Sequence, residues 1–197
     1  MNGLIRKEAG ELTQDINHNE LEMDRCLFDA LYALMQSRTI DELTVSDILQ
    51  KAHVSRSSFY RRYFDKYDLL IKSYRRLMEN TFLLCMDGGS WKDSAVELYA
   101  VIMKHPQFFK HAFASRGPNS LKAFICETIL DCIRERMRQA DVSLDEDWRL
   151  LIAAQAYLDG TMEMTCRWAM EDMPYPADEL IRLFCDIMPE MIKPYCL

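Results

Sequence analysis

Eight basic side chains lie between Lys51 and Arg76 (Lys51, Arg56, Arg61, Arg62, Lys66, Lys72, Arg75 and Arg76), against two acidic ones, Asp65 and Asp68. Hydroxyl groups are interleaved with them at Ser55, Ser57, Ser58, Tyr60 and Tyr63. Guanidinium, ammonium and hydroxyl donors in this density suit phosphate oxygens and the edges of bases. Other chemistries are poorly served. His105 and His111 are six apart, as are Cys126 and Cys132, and that spacing is off-face on a helix and poor for a metal. The sequence contains no GxSxG, phosphate-cradling loop or GxGxxG. The expectation is a chain that is not an enzyme and holds no metal and no cofactor.

The net charge of −7 over 197 residues looks wrong for a partner of nucleic acid. The distribution reverses that impression: the basic stretch is +6, which leaves −13 on the remainder. A basic island on an acidic body gives one surface to phosphates and a different task to the rest. With 49% apolar and 28% charged residues the chain has the composition of a folded domain. No apolar run approaches the ~20 residues of a membrane span. The start, Met1 to Glu8, meets charge at once and has no apolar core of a secretory signal. Seven scattered cysteines without a CxxC pair read as reduced thiols. These features together place the protein in the cytoplasm.

Elements that could position the basic residues are all helical: glycine and proline number six each, and no stretch alternates with period two. Residues 1 to about 20 read as a polar arm or short extra helix. Leu27, Leu31, Leu34 and Met35 form one face of a helix over about 21–37. Thr44 to Asp47 has capping-box spacing, Ser55 can cap a short helix over about 55–62, and Asp65 a fourth that Asp87-Gly88-Gly89 stops. Ser90, Pro106 and Ser143 start further helices, the last of them running to about Asp172. Stripes at Ile125 to Met137 and at Leu180 to Met191 mark two more. The expected fold is all-α with about nine helices.

Residues 44–70 then read as two short helices joined through Ala52-His53-Val54-Ser55, a helix-turn-helix whose second helix exposes Arg56, Ser57, Tyr60 and Arg61. This run resembles the DNA-binding signature of the TetR family of bacterial transcriptional regulators. Thr44, Ile48, Ala52, Val54, Ser55, Ser57, Ser58, Phe59, Tyr60, Lys66, Leu69 and Leu70 match it. His53 departs where the family has glycine in the turn, which calls for a left-handed backbone there or a different turn. Tyr63 stands where the family has phenylalanine. The resemblance implies that Arg56 and Arg61 read bases with Ser57 close to the groove. It also implies that Thr44, Ser58, Tyr60 and Lys66 bind phosphates, and that Arg62 does either. The partner would be double-stranded DNA, and residues 20–72 the DNA-binding domain.

Residues 73–197 would then be a helical domain for dimerisation and for a small-molecule effector, as in the family. The sequence supports pairing independently, since Leu150–Leu158 is apolar on nearly every face and the 180–192 stripe offers a second surface. Leu158, Thr161, Trp168, Phe184, Ile187 and Met191 are the expected homodimer residues. Phe108, Phe109, Phe113 and Phe124 are the candidates for an effector pocket, although plain core filling accounts for any one of them. The segments around Pro106–Lys110, Leu158–Gly160 and Trp168–Met173 loosely resemble a subgroup that includes the dihydroxyacetone kinase regulators, which work through a partner protein. Two functions therefore stand side by side: a ligand-responsive repressor on a palindromic operator, and a coactivator whose C-terminal half binds a protein.

Overall fold

The computed structural model describes residues 18–78, 90–117 and 119–196. These fold as ten helices: α1 His18–Leu34, α2 Val45–Ala52, α3 Arg56–Tyr60, α4 Lys66–Leu77, α5 Trp91–Lys104, α6 Pro106–Ala112, α7 Leu121–Gln139, α8 Trp148–Met170, α9 Ala177–Asp186 and α10 Lys193–Cys196. No strand occurs among the described residues. The expected polar arm over residues 1–17 and the stop at Asp87-Gly88-Gly89 lie outside them.

Most helix starts are built by the expected side chains. Thr44 and Asp47 form a reciprocal capping box on α2, Asp47 N–H donating to Thr44 Oγ1 at 3.1 Å and Thr44 N–H to Asp47 Oδ2 at 2.8 Å. Ser55 accepts from Ser58 N–H at 3.1 Å, and Asp65 from the N–H groups of Tyr67 and Asp68 at 2.8 and 2.9 Å. Such caps each stabilise a helix by about 1 kcal/mol by satisfying amides that have no partner within the helix.

Two elements differ from the sequence reading. The long helix α8 starts at Trp148 with Asp147 as its cap, whose carboxylate accepts from Arg149 N–H at 2.9 Å, so the Ser143 start is wrong. Leu144 is instead buried in a loop. The last stripe is split. Helix α9 ends at Asp186, three residues before Pro189, which cannot donate to a helix and restricts the residue preceding it; a short α10 follows. The described residues thus hold ten helices, in keeping with the expected number of about nine.

The larger apolar core is continuous from Leu27, Leu31, Ile48 and Phe59 through Leu70 and Tyr74 to Phe108, Phe109, Ile125 and Trp168. A second cluster joins Ile133, Met137 and Leu144 to Ala154, Leu158 and Ile192. Helix α6 and the residue before it lock α1 to this body. Tyr32 OH meets His105 Nδ1 at 3.0 Å, His111 Nδ1–H donates to the Met35 carbonyl at 2.7 Å, and the Tyr32 and Phe108 rings stack at 5.6 Å. Burial, with a smaller push from Lys104, holds the His105 imidazole below its usual pKa. The two histidines are thus structural ties, and no group of three or more metal-ligating side chains occurs among the described residues. Nor is any described helix long and apolar enough to cross a membrane. None of the described cysteines is in a disulfide, and Cys132, Cys166 and Cys196 are buried.

Candidate nucleic-acid interface

The turn between α2 and α3 is made by His53, which takes φ 56° and ψ 36° and donates its N–H to the Leu49 carbonyl. The left-handed conformation needed where the family has glycine is therefore adopted by histidine itself, at a cost that a short polar side chain keeps small. Ile48 and Phe59 are fully buried beneath the turn, with Val45 and Val54 packed half-buried beside them. Helix α3 is thereby held with its polar face outward. Arg56, Ser57, Tyr60 and Arg61 are all exposed on it.

The remaining sequence candidates sit differently. Thr44 is exposed, but its hydroxyl is engaged in the capping box. Ser58 is half-buried, and its hydroxyl accepts from Ser55 Oγ at 2.9 Å. Arg62 turns away from the open face of α3: its Nε and a terminal nitrogen donate to the Asp24 carboxylate at 3.0 and 2.5 Å. Tyr63 OH donates to the same carboxylate at 2.7 Å. Burial first, then Asp24, raises the Tyr63 hydroxyl far above its usual pKa, so it remains a donor. Lys66 Nζ donates to the carbonyls of Asp41 and Leu43 at 3.0 and 2.7 Å, tying α4 to the loop that precedes α2. Arg62 and Lys66 thus brace the motif, whereas Arg56, Ser57, Tyr60 and Arg61 present it. Arg56 is steadied by a 2.6 Å bond to Ser46 Oγ, a residue that sequence reading passed over.

The Arg62–Asp24–Tyr63 cluster makes a testable structural element. Asp24→Ala removes the carboxylate that accepts both from the half-buried Arg62 guanidinium and from the buried Tyr63 phenol. The expected loss is about 2 kcal/mol of stability, read as a lowered urea midpoint with an unchanged m-value.

Away from this motif, an apolar cavity of about 110 Å³ opens between α4, α5, α7, α8 and α9. Tyr74, Leu98, Tyr99, Ile129, Leu158 and Phe184 are among its walls. None of Phe108, Phe109, Phe113 and Phe124 is among them. The first three are buried in the continuous core, and Phe124 packs edge-on against Tyr74 with the Arg75 guanidinium over its face. The pocket lining was not legible because core phenylalanines and cavity walls share one sequence signature.

The expected pairing residues also divide. Leu158 and Trp168 are 3% exposed within the single chain, Thr161 is half-buried against the cavity, and Phe184 lines it. Ile187 and Met191 are open, at 54% and 44%. What sequence reading missed is a row at i+4 spacing along α8. Trp148, Ile152, Ala156, Gly160 and Met164 are all exposed, and an atom added at Gly160 would meet nothing within 4 Å. Helix α9 lies beside this helix, joined by the Tyr157 hydroxyl donating to the Phe184 carbonyl at 2.9 Å, and carries its own open residues Leu183 and Ile187.

Residues 27–72 match the sequence model of bacterial regulatory proteins of the tetR family. Residues 89–190, more than half of the chain, match a TetR-type transcriptional regulator C-terminal region. The chain belongs to the TetR family. Its helix-turn-helix is the DNA-binding element of a TetR-family transcription regulator. Among solved structures, the dihydroxyacetone kinase operon activator DhaS superposes with a TM-score of 0.56 at 16% identity, covering 89% of this chain and 98% of that one. The TetR-family repressor AlkX from Dietzia sp. strain DQ12-45-1b, implicated in biodegradation of n-alkanes, gives a TM-score of 0.46 at 16% identity, covering 88% and 94%. At such identity the likeness to DhaS is one of fold. No curated protein matches the chain.

Proposed function

We propose that this TetR-family member is a cytoplasmic, ligand-responsive repressor that binds a palindromic operator as a homodimer. Residues 20–72 contact DNA, and residues 73–197 dimerise and receive the effector. The observation that carries the reading is the shared wall of the cavity. Tyr74 and Met78, at the end of the helix that begins beside the DNA-reading motif, line the cavity, while Leu69 and Leu70 nearer its start belong to the same continuous core as Phe59 of α3. An occupant that displaces the C-terminal end of α4 therefore tilts the helix-turn-helix. In a dimer this moves the two α3 helices away from the ~34–36 Å that adjacent turns of the major groove require, and affinity for the operator falls.

Within the motif, Arg56 and Arg61 read base edges, Ser57 allows close approach, and Tyr60 and Thr44 meet phosphates. Ser58, Arg62 and Lys66 act by holding the backbone that does so. The dimer is built on the open row Ile152, Ala156, Gly160 and Met164 with Leu183, Ile187 and Met191. Two such helices from each chain give a four-helix bundle about a two-fold axis.

Selection of duplexes from a random pool, followed by a salt series on the winner, tests the reading. The expected result is a palindrome bound with a steep fall in log K against log [salt]. Arg56→Ala should cost ~1–3 kcal/mol and relax preference at one base position in each half-site. The Arg56–Ser46 bond is solvent-exposed and contributes only about 1 kcal/mol, so a base edge displaces it readily. A flat salt dependence, or no duplex selected, defeats the assignment. Uniform loss with unchanged preference removes Arg56 as a reader.

A further inference from the structure

The walls of the cavity carry hydroxyl groups whose protons are already committed. Ser94 Oγ donates to the Ser90 carbonyl at 3.2 Å, Thr128 to Phe124 at 2.8 Å, and Thr161 to Tyr157 at 2.8 Å. Thr165 donates to the Thr161 carbonyl at 2.8 Å, and the Tyr157 hydroxyl to Phe184 at 2.9 Å. Tyr99 OH and Thr165 Oγ1 are 2.7 Å apart, and since the Thr165 proton goes to a carbonyl, Tyr99 must be the donor of that pair. Of the seven hydroxyls on the described wall, the six other than that of Tyr74 thus have their donors used and oxygen lone pairs left over. No charged side chain is among the described residues that line it.

Such a wall is selective by chemical class. Among the described lining residues a carboxylate would be desolvated with no cation to receive it, and a carboxylate or a carbonyl oxygen would meet hydroxyls most of whose protons are already given away. An ammonium would lie in an apolar space without a counter-charge. A neutral hydroxyl can donate to an oxygen of Thr or Tyr while its carbon skeleton covers Leu98, Ile129 and Met162. A dry engineered cavity of about 150 Å³ holds benzene, so a space of 110 Å³ limits the guest to on the order of six to eight non-hydrogen atoms.

We infer that the cavity takes a small uncharged hydroxyl compound, an alcohol or phenol of that size, recognised by donating its proton to a hydroxyl oxygen of the Tyr99–Thr165 pair or of Thr161. The inference rests on the ligand-responsive reading above and narrows it to one chemical class.

Calorimetric titration of the full chain with cyclohexanol, phenol, cyclohexanone, cyclohexanecarboxylate and toluene tests it. Cyclohexanol and phenol should bind at least about tenfold more tightly than cyclohexanone, and the carboxylate should not bind. Toluene reports whether the apolar space accepts any guest. The variant Thr165→Val then removes the acceptor of the Tyr99 proton. That proton becomes available to a ligand carbonyl, so cyclohexanone should gain about tenfold relative to toluene. A purely structural role for Thr165 would move all guests together. Equal binding of cyclohexanol and cyclohexanone to the native chain overturns the inference while toluene binding keeps the ligand-responsive reading. Should Thr165→Val not fold, the native panel alone decides. If none of the five compounds binds, both fall.

Discussion

Gly160→Leu is expected to leave the single chain folded, to dissociate the dimer and to abolish operator binding. A Cβ added at Gly160, which lies on the exposed side of α8, meets no atom within 4 Å. Replacing glycine inside the long helix α8 should raise its intrinsic helix stability by up to about 1 kcal/mol. In the proposed dimer the same side chain would meet the partner's copy of the exposed row that runs through Ile152, Ala156 and Met164. There the small residues Ala156 and Gly160 would allow two helix backbones to approach. Overpacking costs ~1–3 kcal/mol at each of two symmetry-related sites, which weakens the dimer by on the order of 10²-fold or more. Light scattering across a concentration series, with a thermal melt at the same concentrations, reads both effects. An unchanged dimer would show that this row lies away from the axis. A charge at Leu158 makes the opposite comparison: with the side chain 3% exposed and facing the cavity, Leu158→Glu should unfold the C-terminal helices rather than separate two intact chains.

Phe109→Ala is expected to destabilise the chain by about 3–5 kcal/mol, a large fraction of the ~5–15 kcal/mol that holds a domain of ordinary stability. The Phe109 ring is fully buried and packs against the rings of Phe108, Phe113 and Tyr74 at centroid distances of 5.4, 5.6 and 6.3 Å. It stands where α1, α4 and α6 share one core, so the void cannot close by moving a single helix. A denaturant titration followed by circular dichroism gives the loss. The same variant distinguishes core from pocket. Because Phe109 does not line the cavity, the relative affinities of guests for the surviving folded fraction should not change, whereas a pocket residue would alter them. A loss below about 1 kcal/mol would mean that the site relaxes far more than a close-packed core does.

The helix-turn-helix was legible because its determinants are local. A hydroxyl or carboxylate at Thr44, Ser55 and Asp65 finds the amides of the next turn whatever the rest of the chain does. Of the two turns open to His53, the one with a left-handed backbone is adopted. The missed start at Asp147 follows the same rule, since Ser143 and Asp147 are both competent caps and the burial of Leu144 between them chose the later one. Side-chain types also identified the polar donors of α3.

What type alone could not assign was which of the neighbouring donors stay open. Arg61 and Arg62 are adjacent and chemically identical, yet only Arg62 reaches Asp24, 38 residues earlier on α1. The packing angle of α1 against α3 decides that, and it is a property of the whole core. The same holds for the C-terminal half. The apolar character of Leu150–Leu158 announced a helix buried on several sides, but the sequence does not say whether a given apolar side chain faces its own chain, a cavity or a second copy. Tertiary packing sent Tyr157 and Leu158 inward and left Ile152 and Ala156 open. It also opened a cavity bounded by five helices whose walls read, residue by residue, as ordinary core. Sequence by itself determined the helices, the turn and the basic face, because capping, periodicity and charge act over a few residues. Only the tertiary structure decided the cavity, its used-up hydroxyl protons and the open row on α8, because these are the spaces left over when distant helices meet.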